Sequence, residues 1–190
     1  PAMLGVAVSN TGVVYAVNSG SSAAPTDFVL RLEDLNADGD AQDPGEATMF
    51  ATISTSTTGG VSVPTAVAVG IDGGVYFCES GSNSSARGVW RCVDLNLDGD
   101  ADDAGERALY FQPTGAASAS NVAFYGLAFQ ADGRVFLSDH AADAVYAGFD
   151  LNFDFVVDAS EQTAFFNATP TSLMWNVTVA TDAFGAVRVL

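Results

Sequence analysis

The chain has 190 residues and a net charge of −17, because 23 acidic side chains face six arginines and no lysine. That charge argues against binding to nucleic acid and to anionic membrane surfaces, since phosphate groups need cationic partners. Hydrophobic residues make up 48% of the chain, which argues against disorder and allows a sizeable core. No apolar run of about 18 residues is present, so we expect no membrane insertion.

Short alternating segments separated by Gly, Asn and Asp turns predict β-strands along the chain. They form a unit of four strands that occurs three times, and a fourth unit begins with two more. The predicted strands cover 4–8, 13–17, 28–32 and 47–53; 66–69, 75–78, 88–93 and 108–111; 125–129, 134–137, 144–149 and 163–166; and finally 177–180 and 186–190. Four antiparallel strands in each repeat of about 55 to 60 residues are typical of a β-propeller blade.

We therefore predict an all-β fold, a β-propeller built of four-stranded antiparallel blades. Residues 1–190 form a single propeller segment of about three and a half blades, at about 4–53, 66–111, 125–166 and, for the partial blade, 177–190. Closed propellers have 4 to 8 blades, and an open arc would expose apolar faces and strand edges. We expect other protein chains, or the remainder of a longer chain, to complete the propeller.

An acidic loop joins the predicted third and fourth strands of every unit. The three acidic loops span 34–46, 94–106 and 150–161, and each places oxygen-bearing side chains at positions 1, 3 and 5. Glycine follows at position 6 in the first two loops, and this pattern resembles the calcium-binding loop of EF-hand proteins. The expected calcium ligands are Asp34, Asn36, Asp38, Asp40, Asp43 and Glu46; Asp94, Asn96, Asp98, Asp100, Asp103 and Glu106; and Asp150, Asn152, Asp154, Asp158 and Glu161.

The acidic loops depart from the EF-hand pattern in two ways. In the first two, the last glutamate falls at position 13, one residue late, so Asp43 and Asp103 at position 10 are expected to replace the usual ligand at position 9, or the loop bulges. The third loop has Phe155 where glycine is expected, and phenylalanine disfavours a positive φ. That loop is either a third ion site or a degenerate turn.

Strands rather than helices flank these loops, which predicts a structural role for the ions instead of a sensor that opens a groove. Calcium is the expected cofactor, and weak sites of this kind would be filled at millimolar extracellular concentrations. We therefore expect the protein outside the cell, at the cell surface or in the periplasm.

Residues 126–140, Gly-Leu-Ala-Phe followed by Asp-Gly and then Val-Phe-Leu-Ser-Asp-His, resemble a blade of the NHL or gluconolactonase-like propellers. The resemblance implies the propeller fold and, as an alternative function, a hydrolase or lyase whose axial metal is held by carboxylate and amide side chains. Asn121 and Asp182 lie near first-strand ends but are too scattered to be assigned as ligands of such a metal. With one histidine, His140, and no catalytic motif, we expect a non-catalytic module with a structural, binding or assembly role.

Cys78 and Cys92 flank one predicted hairpin. They are either a cross-strand disulfide or two buried thiols, and an oxidising compartment would favour the disulfide.

Overall fold

The computed structural model describes residues 2–20, 27–53, 61–115, 122–167, 179–181 and 187–189, the last two ranges as backbone only. The strands are β1 (Ala2–Val8), β2 (Val14–Ser19), β3 (Asp27–Leu32), β4 (Ala47–Ile53), β5 (Pro64–Val69), β6 (Val75–Glu79), β7 (Gly88–Cys92), β8 (Arg107–Phe111), β9 (Phe124–Phe129), β10 (Val135–Asp139), β11 (Ala144–Gly148), β12 (Gln162–Asn167), β13 (Val179–Thr181) and β14 (Val187–Val189). One 3₁₀ turn, Ser84–Ala86, precedes β7.

The strands form three four-stranded antiparallel sheets in simple chain order, which we call blade 1 (β1–β4), blade 2 (β5–β8) and blade 3 (β9–β12). A two-stranded sheet, β13–β14, follows and contacts β9. The predicted all-β architecture of propeller blades is therefore confirmed. Within the described ranges, no helix is long and apolar enough to cross a membrane.

A short Gly turn joins the first two strands of each blade. In blade 2, Gly73 has a φ of 80° and the Asp72 carboxylate accepts a hydrogen bond from the Gly74 amide at 3.1 Å. Blade 3 repeats this with Gly133 at a φ of 95° and Asp132 accepting from the Arg134 amide at 3.0 Å. Glycine takes the left-handed conformation at little cost, and the aspartate side chain closes the turn.

The pairing of the third and fourth strands contains one bulge in every blade. The residue skipped in the register is Phe50 in blade 1, Tyr110 in blade 2 and Phe165 in blade 3. A bulge leaves the extra residue outside the ladder and increases the local twist. In blades 1 and 2 the carbonyl of that residue is consequently free to bond to the next blade.

Two of the buried clusters among the described residues lie between blades, and a smaller one, around Phe136, lies on the other face of blade 3. Blades 1 and 2 bury Val17, Phe50 and Phe77 in one cluster, and blades 2 and 3 bury a second cluster around Phe111 and Phe124. Side chains alternate between the two faces of a strand, so a central blade contributes to both clusters.

The two cysteines belong to different clusters. Cys78 pairs across the sheet with Val89, and Cys92 pairs with Val75. Val75 and Cys78 are three residues apart on one strand, so their side chains face opposite sides. The structure therefore has two free, buried thiols instead of a cross-strand disulfide.

We expect the free energy of unfolding to fall as the pH rises above about 9, and these thiols give the reason. Burial raises the pKa of the Cys92 thiol from its ordinary value of 9.0 to about 12, and it raises the pKa of Cys78 as well. A raised pKa favours the neutral thiol in the folded state, so its stabilisation is complete below the unfolded pKa and is lost above it, by up to about 1.4 kcal/mol per pH unit for each thiol. Urea unfolding between pH 8 and 11 measures the slope.

Cys92→Ala is the matched variant for this measurement. It should have the shallower slope, because one of the two titrating thiols is gone. Equal slopes for the variant and the parent protein would contradict the prediction.

Candidate metal sites in the acidic loops

The three acidic loops follow the same backbone path. Position 4 has a positive φ in each, namely Ala37 at 61°, Leu97 at 64° and Phe153 at 61°, and so does position 6, namely Gly39 at 98°, Gly99 at 102° and Phe155 at 63°. The first aspartate of each loop accepts a hydrogen bond from the amide of position 6 at 2.9 Å. Phe155 thus adopts the left-handed conformation that the sequence disfavours, at a cost of about 1–2 kcal/mol, and the third loop keeps the path of the other two.

In the first two loops, the asparagine at position 3 brings two carboxylates together. The Asn36 side-chain nitrogen donates to Asp38 at 3.2 Å and to Asp43 at 2.5 Å. The second loop is alike, with Asn96 donating to Asp98 at 2.9 Å and to Asp103 at 2.6 Å. Position 10 therefore lies beside positions 3 and 5, where a replacement for the ligand at position 9 would have to be.

This arrangement fits a hard cation in its donor set. The asparagine oxygens already accept backbone amides, Asn36 from Asp38 at 2.9 Å and Asn96 from Asp98 at 3.0 Å, so their nitrogens lie between the two carboxylates. A cation in that place would have to displace the N–H group, and the asparagine would give up its bond to the backbone amide to present its oxygen. Calcium takes such carboxylate and amide oxygens as ligands. In the third loop Asn152 donates to Asp154 at 3.0 Å, but Asp158 accepts from the Ser160 hydroxyl at 2.7 Å, so the match there is partial.

The glutamate that ends each loop closes it through the backbone. Glu106 accepts from the amides of Leu95 at 2.9 Å, Asn96 at 3.3 Å and Asp103 at 3.1 Å. Glu46 and Glu161 make the matching bonds to both ends of their own loops. All three glutamates are buried: Glu46 is 2% exposed, Glu106 is 4% exposed and Glu161 is 9% exposed. These expected ligands thus hold the two ends of their loops together, a role that sequence reasoning missed and that we call the clasp.

The remaining expected ligands lie at the loop surface. Asp40 accepts from the Gln42 amide at 2.9 Å, and Asp100 accepts from the Asp102 amide at 2.9 Å. In the part of the chain that the structure describes, no three His, Cys, Asp or Glu side chains are grouped closely enough to hold a metal ion. A cation would therefore have to draw the loop carboxylates inward.

The second and third loops also bond to the fourth strand of the preceding blade. The amide of Ala101 donates to the carbonyl of Phe50 at 2.7 Å, and the amide of Val157 donates to the carbonyl of Tyr110 at 2.7 Å. Both donors are at loop position 8 and both acceptors are the bulged residues of the fourth strands. We call this contact the inter-blade staple. Its sequence signal is an apolar residue at position 8 inside an acidic loop, at Ala41, Ala101 and Val157.

Acidic side chains at the ends of second strands have a structural role. The Asp139 carboxylate accepts from the amides of Ala123 at 3.1 Å and Ala141 at 2.9 Å. Glu79 likewise accepts from the Val63 amide at 2.8 Å and the Ser62 hydroxyl at 2.6 Å, and burial raises its pKa. Each ties its second strand to the segment that enters the first strand of the same blade.

The structure does not test the residues that sequence analysis placed near first-strand ends. Asn121 and Asp182 lie outside the described residues. The ring of His140 packs against Tyr125, with ring centroids 5.9 Å apart, and its amide donates to the Ala123 carbonyl at 2.8 Å.

Comparisons with known proteins reveal the fold class. No family model and no curated protein matches the chain. Among solved structures, a streptogramin B lyase matches with a TM-score of 0.55 and 13% identity over 98% of this chain and 47% of its own. The virginiamycin B lyase from Staphylococcus aureus matches with a TM-score of 0.52 and 13% identity over 99% of this chain and 62% of its own.

The protein is therefore a β-propeller protein in fold, in agreement with the propeller resemblance of residues 126–140. The chain spans about half to three fifths of the lengths of the two lyases. At this level of identity, the likeness concerns the fold alone.

Proposed function

We propose that this chain is a calcium-binding β-propeller module with a structural, binding or assembly role. The observation that supports the proposal best is the convergence of positions 3, 5 and 10 in the first two acidic loops, on a backbone path that all three loops share. Each ion would neutralise carboxylates that otherwise repel one another, and would stiffen the connection between the third and fourth strands.

Calcium titration tests the proposal. Binding to the folded state alone stabilises a protein by RT ln(1 + [L]/Kd), which is about 2.7 kcal/mol for each site at a hundredfold excess over Kd. We expect calorimetry to find two or three sites per chain and the melting temperature to rise between 0.1 and 10 mM calcium, with magnesium less effective.

Two variants test whether the calcium sites lie in the acidic loops. Asp98→Asn should remove one site and part of the rise in melting temperature. Asp132→Asn removes an exposed carboxylate outside the acidic loops and should leave the stoichiometry unchanged. No heat of binding and no change in melting temperature at 10 mM calcium would refute the calcium sites.

The same proposal places the protein where calcium is millimolar, namely outside the cell, at the cell surface or in the periplasm. It also includes further blades, from other chains or from a longer chain, as partners. Val6 on β1 is 68% exposed, whereas its counterparts Val67 and Leu127 are 6% and 8% exposed because a preceding blade covers them. That difference supports docking of another blade on the outer face of blade 1.

A propeller hydrolase or lyase with an axial metal is the second candidate. It is favoured by the fact that both solved structures named above are lyases. Conversion of a streptogramin B by the metal-loaded protein, followed by chromatography, tests it directly. Turnover that is abolished by chelation and survives Asp98→Asn would favour the enzyme, whereas the absence of turnover with magnesium, manganese and calcium would favour the module.

A further inference from the structure

A cavity of about 230 Å³ opens between blades 2 and 3, beside the third acidic loop. Tyr76, Tyr110 and Phe129 form its floor, with ring centroids 4.5 to 6.2 Å apart. Its wall includes Phe149, Phe153 and Phe155. Because a water molecule occupies about 30 Å³ of liquid volume, the cavity has room for a ligand of about six to eight heavy atoms.

Three carboxylates surround these rings, contributed by Asp72, Asp132 and Asp150. Burial, followed by the nearby Asp150 and Asp72 carboxylates, raises the pKa of the Tyr110 hydroxyl to about 12. The negative charges are thus close enough to act on a group in the cavity floor, in a chain whose net charge is −17.

Two arginines of the protein already contact the rings and carboxylates that line this cavity. The Arg91 guanidinium lies 4.1 Å from the ring centroid of Phe155 and pairs with Asp72 at 2.8 Å. The Arg134 guanidinium lies 5.9 Å from the ring centroid of Phe149 and pairs with Asp132 at 3.7 Å. Aromatic faces attract cations through the ring quadrupole, most strongly where water is excluded.

From these contacts we infer that the cavity between blades 2 and 3 binds a small organic cation, a substituted or quaternary ammonium with apolar groups on the nitrogen. The rings receive the apolar groups and the positive charge. Asp72 and Asp132 are already paired with arginines, so Asp150 provides the remaining long-range attraction. A neutral ligand of the same shape would gain only the apolar contacts. The inference does not require calcium. Asp150, Phe153 and Phe155 belong to the third acidic loop, however, and Asp150 is an expected calcium ligand, so a bound calcium ion would offset its attraction for a second cation.

Blades 1 and 2 enclose a related but different cavity, which serves as an internal control. It has a similar aromatic pair, Tyr15 and Phe50, with ring centroids 5.1 Å apart. Leu97 and Gly99 replace Phe153 and Phe155 in its lining, and its volume is about 500 Å³. A wider cavity with fewer rings should hold a small cation poorly.

Titration of choline against its neutral isostere 3,3-dimethylbutan-1-ol tests the inference by protein NMR, with and without calcium. We expect saturable choline binding in at least one of these conditions, with resonance shifts at the residues of this cavity and affinity at least tenfold higher than for the alcohol. Phe153→Leu, at a largely exposed position, should weaken choline binding about threefold, which corresponds to the loss of one cation–π contact.

Leu97→Ala, at the equivalent position in the other cavity, is the control and should leave choline affinity unchanged. Equal binding of choline and the alcohol, no saturation by 50 mM choline in either condition, or equal losses in the two variants would each overturn the inference. The titration without calcium separates this inference from the calcium proposal, because choline binding in that condition would stand even if no ion binds to the acidic loops.

Discussion

Replacing Glu106 with glutamine is expected to lower the free energy of unfolding by about 2–3 kcal/mol in the presence of chelator. Glu106 is buried, and its two oxygens accept three backbone N–H groups from both ends of the second acidic loop. In the glutamine variant an NH₂ group would replace one oxygen, so one amide donor would face another donor. Urea unfolding followed by circular dichroism measures the difference.

The chelator separates two roles for this glutamate. If Glu106 acts as a clasp, the loss is present without calcium; if it acts only as a calcium ligand, the loss is confined to calcium-containing buffer. Asp132→Asn is the control and should change stability by less than about 0.5 kcal/mol, because it removes the charge of an exposed ion pair at 3.7 Å but keeps an oxygen that accepts the Arg134 amide in the turn. A loss of that size or smaller for Glu106→Gln in chelator would disprove the clasp.

Ala101→Asp is expected to destabilise the protein by about 3–5 kcal/mol, because it would bury a carboxylate in an apolar contact, where the neighbouring Arg107 is already paired with Asp102. Ala101 is fully buried between blades 1 and 2, and its amide donates to the Phe50 carbonyl at 2.7 Å. The variant would therefore separate the acidic loop from the preceding blade. Thermal and urea unfolding report the change, and a lower m-value would indicate that the blades no longer unfold together.

The first acidic loop offers the matched control for this experiment. Ala41 is at the same loop position as Ala101, and no blade that precedes blade 1 is among the described residues. Ala41→Asp should therefore change the stability of the isolated chain by less than about 0.5 kcal/mol. Equal effects of the two substitutions would show that Ala101 matters for its own loop and not for the inter-blade staple.

Together these contacts assign two tasks to the residues of one acidic loop. The glutamate holds the loop in shape through the backbone, and position 8 attaches it to the neighbouring blade. The carboxylates at positions 5 and 10, with the amide at position 3, remain for a cation, and calcium binding there remains a proposal. A cation at these positions would stabilise the inter-blade staple indirectly, because cation binding and the staple require the same backbone path of the loop.

Much of the fold could be predicted from the sequence, because local rules govern it. Period-2 alternation and β-branched residues mark the strands, and Asp72-Gly73 and Asp132-Gly133 mark turns that only a few residue types can form. The repeat of about 55 to 60 residues then indicates blades. The ion-ligand pattern is equally local, since the ligands are neighbours along the chain.

Other features depend on how the chain folds back on itself, which residue spacing alone does not encode. Phe155 adopts a positive φ with its ring against Arg91 of blade 2, and the glutamates accept backbone amides from both ends of their own loops. Cys78 and Cys92 look like partners along the chain, yet they face different neighbours across a blade. The strands, the repeat and the acidic loops could be read from the amino-acid sequence, since these follow from residue spacing. The partners of the buried loop residues could be read only from the folded chain, because position 8 bonds to the preceding blade and each glutamate bonds to backbone amides at both ends of its loop.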